Sequence, residues 1–120
     1  MLDVKKMLTK LLDMLTVRTG AVTFNSGYSG TLHPSTYVKR QGNIVHVYIR
    51  IQPFTISAGA AQEVMTISNN FEPNRVTYGT AYYNSNTMRQ ASINANGKVV
   101  LNPNENITNG YIICFFSYIV

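Results

Sequence analysis

The sequence predicts an all-β fold, an antiparallel β-sandwich with jelly-roll-like strand order, preceded by one short N-terminal α-helix. The chain has 120 residues, which suits a single domain. Charged residues make up only 12% of it, about half the usual share of roughly a quarter, and its polarity comes from 13 Asn, 12 Thr and 8 Ser. From Ala21 onward apolar and polar residues alternate in short segments separated by turn residues. These three observations divide the chain into a helix over residues 1–18 and a β head over residues 19–120.

The N-terminal segment has apolar residues at alternating spacings of three and four, which is the repeat of a helix with an apolar face. The resulting stripe is wider than a two-stranded coiled coil needs, so it fits either packing on its own head or a bundle of three or more helices. A free helix of this length is marginal in water, so one of these two contacts has to stabilise it. The residues predicted to mediate oligomerisation are Val4, Met7, Leu8, Leu11, Met14 and Leu15.

The first half of the head contains a hairpin between residues 36–40 and 44–51, joined by a turn at Gly42. Its second strand places four aliphatic residues on one face, which predicts the side that packs in the core. Pro53 then ends regular pairing. The four residues predicted to face the core are Val45, Val47, Ile49 and Ile51.

The second half of the head contains strands at residues 63–67, 76–83, 88–93 and 99–101. Asn96 and Gly97 form the dipeptide of a tight hairpin turn between the last two of these strands. Residues 111–120 form a final strand that is apolar on both faces. Such a strand belongs at the centre of a sheet or against another subunit.

Several function classes lack their characteristic residues. The net charge is +5, but the basic residues are scattered, so we expect no nucleic-acid partner. Cys114 is the only cysteine, which excludes an intramolecular disulfide, and its apolar neighbours predict a buried, inert thiol. Charges interrupt residues 1–17, so we expect no signal peptide, and no apolar run approaches the roughly 20 residues needed to span a bilayer.

Catalytic and metal-binding patterns are also weak. The head has only Glu63, Glu72 and Glu105 as carboxylates, and each lies beside a predicted strand end or loop, which does not favour the paired acids of a glycosidase. His33 and His46 lack metal-ligand spacing. We therefore expect a protein that is not an enzyme, with no cofactor and no metal site.

A binding site is predicted where two strands and their connecting loop bring aromatic rings together with amide and guanidinium groups. These groups suit the apolar face and the hydroxyls of a sugar. An alternative remains open, in which Asn residues serve the turn and the tyrosines pack in the core. The candidate ligand-binding residues are Tyr82, Tyr83, Asn84, Asn86 and Arg89.

Three runs of sequence, residues 71–75, 78–84 and 92–101, carry a family resemblance. A Pro-x-Arg corner at Pro73 leads into a strand, the Asn-Gly hairpin follows, and the chain closes on an aromatic-rich strand. This arrangement resembles the C-terminal head domains of phage and prophage tail-fibre and baseplate receptor-binding proteins. The segment 3–12 is also similar to short leader helices that precede such heads.

The resemblance implies a homotrimer whose N-terminal helices bundle and whose heads recognise host cell-surface saccharide without cleaving it. It further implies other phage tail or baseplate proteins as partners. The expected location is the virion, or the bacterial cytoplasm for a prophage-encoded protein. The chain departs from the family in having almost no shaft, so a structural virion or baseplate subunit without a ligand is the alternative.

Overall fold

The computed structural model describes residues 3–84 and 87–120. Within these residues it has one helix, α1 (Val4–Leu15), and ten strands. The strands are β1 (Val17–Gly20), β2 (Val22–Phe24), β3 (Gly30–Leu32), β4 (Tyr37–Gln41), β5 (Ile44–Ile56), β6 (Gln62–Ile67), β7 (Thr77–Tyr83), β8 (Thr87–Ile93), β9 (Lys98–Leu101) and β10 (Ile107–Ile119).

Local signals define the two ends of α1. Asp3 caps its N-terminus and accepts a hydrogen bond from the Lys6 N–H at 3.2 Å. At the other end, the Thr16 N–H and hydroxyl both donate to the Leu12 carbonyl, at 2.9 and 2.6 Å. Thr16 and Val17 are β-branched and favour extended backbone. Strand β1 therefore begins at Val17, inside the segment 1–18 that the sequence predicts as helical.

All strand pairs are antiparallel, and the strand order is β1-β4-β5-β10-β7-β8-β9-β6-β2, with β3 beside β5. The first and last strands of this order are separated in sequence by Ala21 alone. One continuous segment thus pairs with β4 and then with β6, and the Ala21 N–H donates to Ser68 Oγ at 2.8 Å. The sheet is consequently a nearly closed barrel. The prediction of an antiparallel β head behind one short helix is confirmed at this level.

The core lies inside this barrel. The four residues predicted to face inward from β5, at positions 45, 47, 49 and 51, are fully buried. Strand β5 continues through Pro53 to Ile56, with Phe54 paired to Gly110 and Ile56 paired to Ile107, so the predicted end of pairing at Pro53 is wrong. Strand β10 lies between β5 and β7 at the centre of the sheet and adds Ile112, Cys114 and Phe116 to the core. The predicted turns are present, with positive φ angles of 58° at Gly42 and 83° at Gly97. The predicted burial of Cys114 is confirmed.

The molecule measures 62 × 27 × 26 Å. Its length is close to the sum of about 43 Å for a 13-residue strand and about 18 Å for a 12-residue helix. Helix α1 therefore extends the long axis of the head instead of lying along its side. We call the end that carries α1 and the β4–β5 turn the base, and the opposite end the tip. Strands β2, β5, β7 and β9 end at the tip, and β3, β6, β8 and β10 begin there.

Candidate functional site

The predicted ligand-binding residues lie on the β7–β8 hairpin at the tip, but on two different faces of it. Tyr82 pairs with Met88 and points outward, where it is 42% exposed. Tyr83 points inward and is fully buried. Arg89 pairs with Ala81 on the inner face and is half-buried. The structure therefore separates Tyr82 from Arg89, because successive side chains of a strand face opposite sides. Asn86 lies outside the described residues.

Tyr83 belongs to the core and does not offer its ring to a ligand. Its hydroxyl is buried and makes no hydrogen bond within the described part of the chain. Burial, and next the Coulombic effect of Cys114, raise the pKa of Tyr83 well above its ordinary value. The hydroxyl therefore keeps its proton and is a buried donor without an acceptor.

Asn84 supports the backbone at the tip. Its φ of 49° lies in the left-handed region, which Asn tolerates better than most residues. Its backbone N–H donates to the Tyr111 carbonyl and its side-chain Oδ1 accepts from the Tyr111 N–H, both at 3.0 Å. These bonds join the end of β7 to the start of β10. The alternative interpretation, that Asn serves the turn here, is the one that describes Asn84.

Tyr82 instead lies within an apolar surface on the outside of the sheet. Its neighbours across the strands are Ile113 on β10 and Met88 on β8. One row away, Phe115 packs its edge against Tyr48, with ring centroids 6.4 Å apart. Strand β10 is thus central in the sheet and still has an uncovered outer side. We define the outer patch as four exposed residues on this side of the sheet: Tyr78, Tyr82, Met88 and Phe115.

Arg89 opens into a separate groove at the edge of β8. Strand β9 pairs with β8 only at Ser92–Val100 and Ile93–Val99, and then diverges from it. The resulting cavity has a volume of about 420 Å³. We call it the β8–β9 groove, and its lining residues are Met88, Arg89, Gln90 and Asn102. Sequence analysis missed Gln90 and Asn102, although Pro103 is a signal that pairing stops there, since proline has no N–H to donate.

A second pair of grooves at the tip surrounds Tyr28, with volumes of about 250 and 400 Å³. The Tyr28 hydroxyl donates to Gln62 Oε1 at 3.0 Å, and the Gln62 amide donates to the Ser57 carbonyl at 2.7 Å. These polar side chains already bond to each other. They therefore offer a ligand less than the β8–β9 groove does.

At the base, α1 does not pack its apolar stripe on its own head. Every residue of the stripe is 44–69% exposed, and no residue of the helix is buried. The helix is tied to the head near its C-terminus, where the Gln41 amide donates to the Leu15 carbonyl at 3.2 Å and Asp13 pairs with Arg18. Between them lies a cleft of about 700 Å³ beside Met14 and Ile44. The interpretation of the helix as packed on its own head is therefore not supported.

Other candidate residues have structural partners. Glu63 pairs with Lys98 at 3.1 Å, and His46 Nδ1 lies 2.9 Å from Ser117 Oγ on the outer face. Burial raises the pKa of the Cys114 thiol to about 12, which suppresses the nucleophilic thiolate. Among residues 3–84 and 87–120 no three His, Cys, Asp or Glu side chains are grouped as metal ligands.

Comparison with protein-family models and with curated proteins finds no match for this chain. In the part of the chain that the structure describes, no helix is long and apolar enough to cross a membrane.

Proposed function

We propose that the chain is a non-enzymatic receptor-binding head of the phage tail-fibre or baseplate type, which binds host cell-surface carbohydrate as a homotrimer. In this proposal the nearly closed sheet serves as a jelly-roll-like sandwich head, and α1 serves as the stem. The proposal extends to other phage tail or baseplate proteins as partners and to the virion, or the cytoplasm of a bacterium carrying the prophage, as the location.

The observation that carries the proposal is the uncovered apolar stripe of α1. A 12-residue helix is marginal alone in water, yet none of its residues is buried by its own head. Three copies in parallel would bury the stripes against one another, and the polar face, with its three lysines, would stay in water. The apolar stripe covers a wider arc of the helix than a two-stranded coiled coil buries.

The opposite ends of the molecule support a division of roles. The stripe lies at the base, and the β8–β9 groove lies at the tip, where amide groups and a guanidinium suit the hydroxyls and charges of a saccharide. Three heads joined at the base would present three such grooves in the same direction. Weak sites presented together bind a repetitive cell surface far more tightly than one site does.

The test is the molar mass of the full chain in solution, measured by light scattering. We expect three times 13.4 kDa for the wild type. Leu8→Glu places a carboxylate in the stripe and should dissociate the trimer without unfolding the head, because α1 contributes nothing to the core. Thr9→Glu is the matched control, since it adds the same charge on the polar face. A monomeric wild type, or equal effects of the two substitutions, would contradict the trimer.

A structural virion or baseplate subunit without a ligand is the second candidate, and the outer patch favours it. Exposed aromatic and aliphatic side chains on one sheet face are typical of surfaces that pack against another protein. Adsorption of labelled protein to host cells distinguishes the two candidates. Arg89→Ala should weaken adsorption if the head binds a receptor through the β8–β9 groove, whereas a structural subunit would not adsorb at all.

A further inference from the structure

We propose that the β8–β9 groove is the subsite for the carboxylate of an acidic saccharide. The inference depends on the proposed function and names its ligand class. Arg89 would hold the carboxylate, and the amides of Gln90 and Asn102 would hold neighbouring sugar hydroxyls.

The groove exists because of a local gap in an otherwise nearly closed sheet. Strand β8 is paired along its whole length with β7, but β9 accompanies it only at Ser92 and Ile93. The edge of β8 from Met88 to Gln90 therefore has no strand on this side in the described chain. The volume of the groove, about 420 Å³, falls within the range of roughly 300–1,000 Å³ typical of small-molecule sites.

Arg89 differs from the other arginines in its environment. Arg18 pairs with Asp13, and Arg40 donates to two carbonyls. Arg50 donates to Gln52 from one terminal nitrogen, although its buried Nε has no partner within the described residues. Arg75 is exposed in an open loop at the base. Arg89 alone is half-buried and makes neither an ion pair nor a hydrogen bond with any residue that the structure describes.

The surrounding polar groups are also unpartnered. The side-chain amides of Gln90 and Asn102 make no hydrogen bond within residues 3–84 and 87–120. Both amides are exposed, and together with Arg89 and Met88 they line the cavity. The buried Tyr83 hydroxyl lies near the backbone N–H of Asn102 and the charge of Arg89, both of which oppose the rise of its pKa by burial. Within the described residues, the guanidinium and the two amides therefore have no protein partner that a ligand would have to displace.

The composition of the groove favours a singly charged, carboxylated sugar. A guanidinium donates two parallel hydrogen bonds to a carboxylate. One positive charge with neutral amides balances one negative charge, whereas a phosphate would carry up to two. Met88, which is 65% exposed, adds an apolar contact for the C–H face of a sugar ring.

The experiment is an amide NMR titration of the full chain with matched pairs of probes. The acidic probes are the methyl glycosides of glucuronic acid, galacturonic acid and N-acetylneuraminic acid. The neutral probes are methyl glucoside and methyl galactoside, which carry a hydroxymethyl group where the first two acidic probes carry the carboxylate. At least one acidic probe should shift the amides of residues 88–90 and 102, and its neutral counterpart should bind roughly tenfold or more weakly, as expected for the loss of a charge-assisted bond.

Arg89→Gln and its matched control complete the test. Arg89→Gln should weaken binding of the acidic probe at least about tenfold. Arg75→Gln removes the same charge at the base and should leave the affinity unchanged. Inorganic phosphate should compete poorly with the acidic probe.

The possible outcomes test the carboxylate subsite and the proposed function separately. Equal binding of acidic and neutral probes, or insensitivity to Arg89→Gln, overturns the carboxylate subsite and leaves a saccharide-binding head standing. No shift at the groove, in a protein that still adsorbs to host cells, overturns the subsite alone. No shift together with no adsorption overturns both the subsite and the proposed function.

Discussion

Two buried tyrosines undergo the same substitution with opposite expected results. The Tyr118 hydroxyl donates to the Phe71 carbonyl at 2.5 Å and ties the centre of the sheet to the loop before β7. The Tyr83 hydroxyl makes no such bond. Replacing either residue with Phe removes one hydroxyl group and leaves the ring in place.

The expected change in the free energy of unfolding depends on whether the lost hydroxyl leaves another buried group without a hydrogen bond. Tyr118→Phe loses a hydrogen bond and leaves the buried Phe71 carbonyl without a donor, which should lower the free energy of unfolding by about 1–3 kcal/mol. Tyr83→Phe removes a buried hydroxyl that makes no hydrogen bond within the described residues, so the free energy of unfolding should stay unchanged or rise by about 1 kcal/mol.

Urea unfolding of the two variants beside the wild type measures this difference. With a slope of about 2 kcal/mol per molar urea, a separation of about 1–4 kcal/mol moves the midpoints apart by about 0.5–2 M. Equal losses in both variants would refute the reasoning, because they would mean that the Tyr83 hydroxyl has a stabilising partner after all.

Three further predictions test other parts of the structure. The free energy of unfolding should fall as the pH rises above about 9, because the Cys114 thiol ionises in the unfolded chain while burial, which raises its pKa to about 12, keeps it protonated in the folded chain. Between pH 8 and 10.5 the urea midpoint of Cys114→Ala should therefore fall less than that of the wild type. An equal decline of the two proteins would contradict this. Gly79→Ala should lower the melting temperature by several degrees, because a Cβ at this position overlaps the Phe115 carbonyl and the Phe116 ring, at a cost of about 1–3 kcal/mol. An unchanged melting curve would contradict this. Asn84→Ala should cost about 1–2 kcal/mol by losing its bond to Tyr111 and its left-handed preference, while adsorption of the folded protein to host cells stays the same.

Local patterns in the sequence were sufficient for much of the fold. The alternation through Val45 and Ile51 predicted which face of β5 is buried, because a strand's period of two leaves only two choices of face. Gly42 and Gly97 indicated two turns, and both residues have the positive φ angles that such turns require. The spacing of the apolar stripe predicted the helix and the residues that form its apolar face, but left open whether that face packs on the head or in a bundle.

The arrangement of the tip could not be predicted in the same way. Tyr82, Tyr83 and Arg89 are close in sequence, and that closeness suggested one cluster, whereas strand alternation places them on different faces. Asn102 and Arg89 line the same groove because β9 diverges from β8 before Asn102. Such contacts depend on pairing between distant segments, which hydrophobic periodicity does not encode.

The central position of β10 has a consequence for the order of folding. Strand β10 follows all the other strands in sequence, yet it pairs with both β5 and β7 and so joins two groups of strands that are otherwise linked only through the continuous β1–β2 segment. Its register pairs Ile44 with Ile119 across most of the chain, a contact that requires closing a very long loop. Topologies dominated by such distant pairings fold slowly. Until β10 docks, the edges of β5 and β7 are open to other strands, so the newly synthesised chain is most vulnerable to aggregation just before this strand completes the sheet.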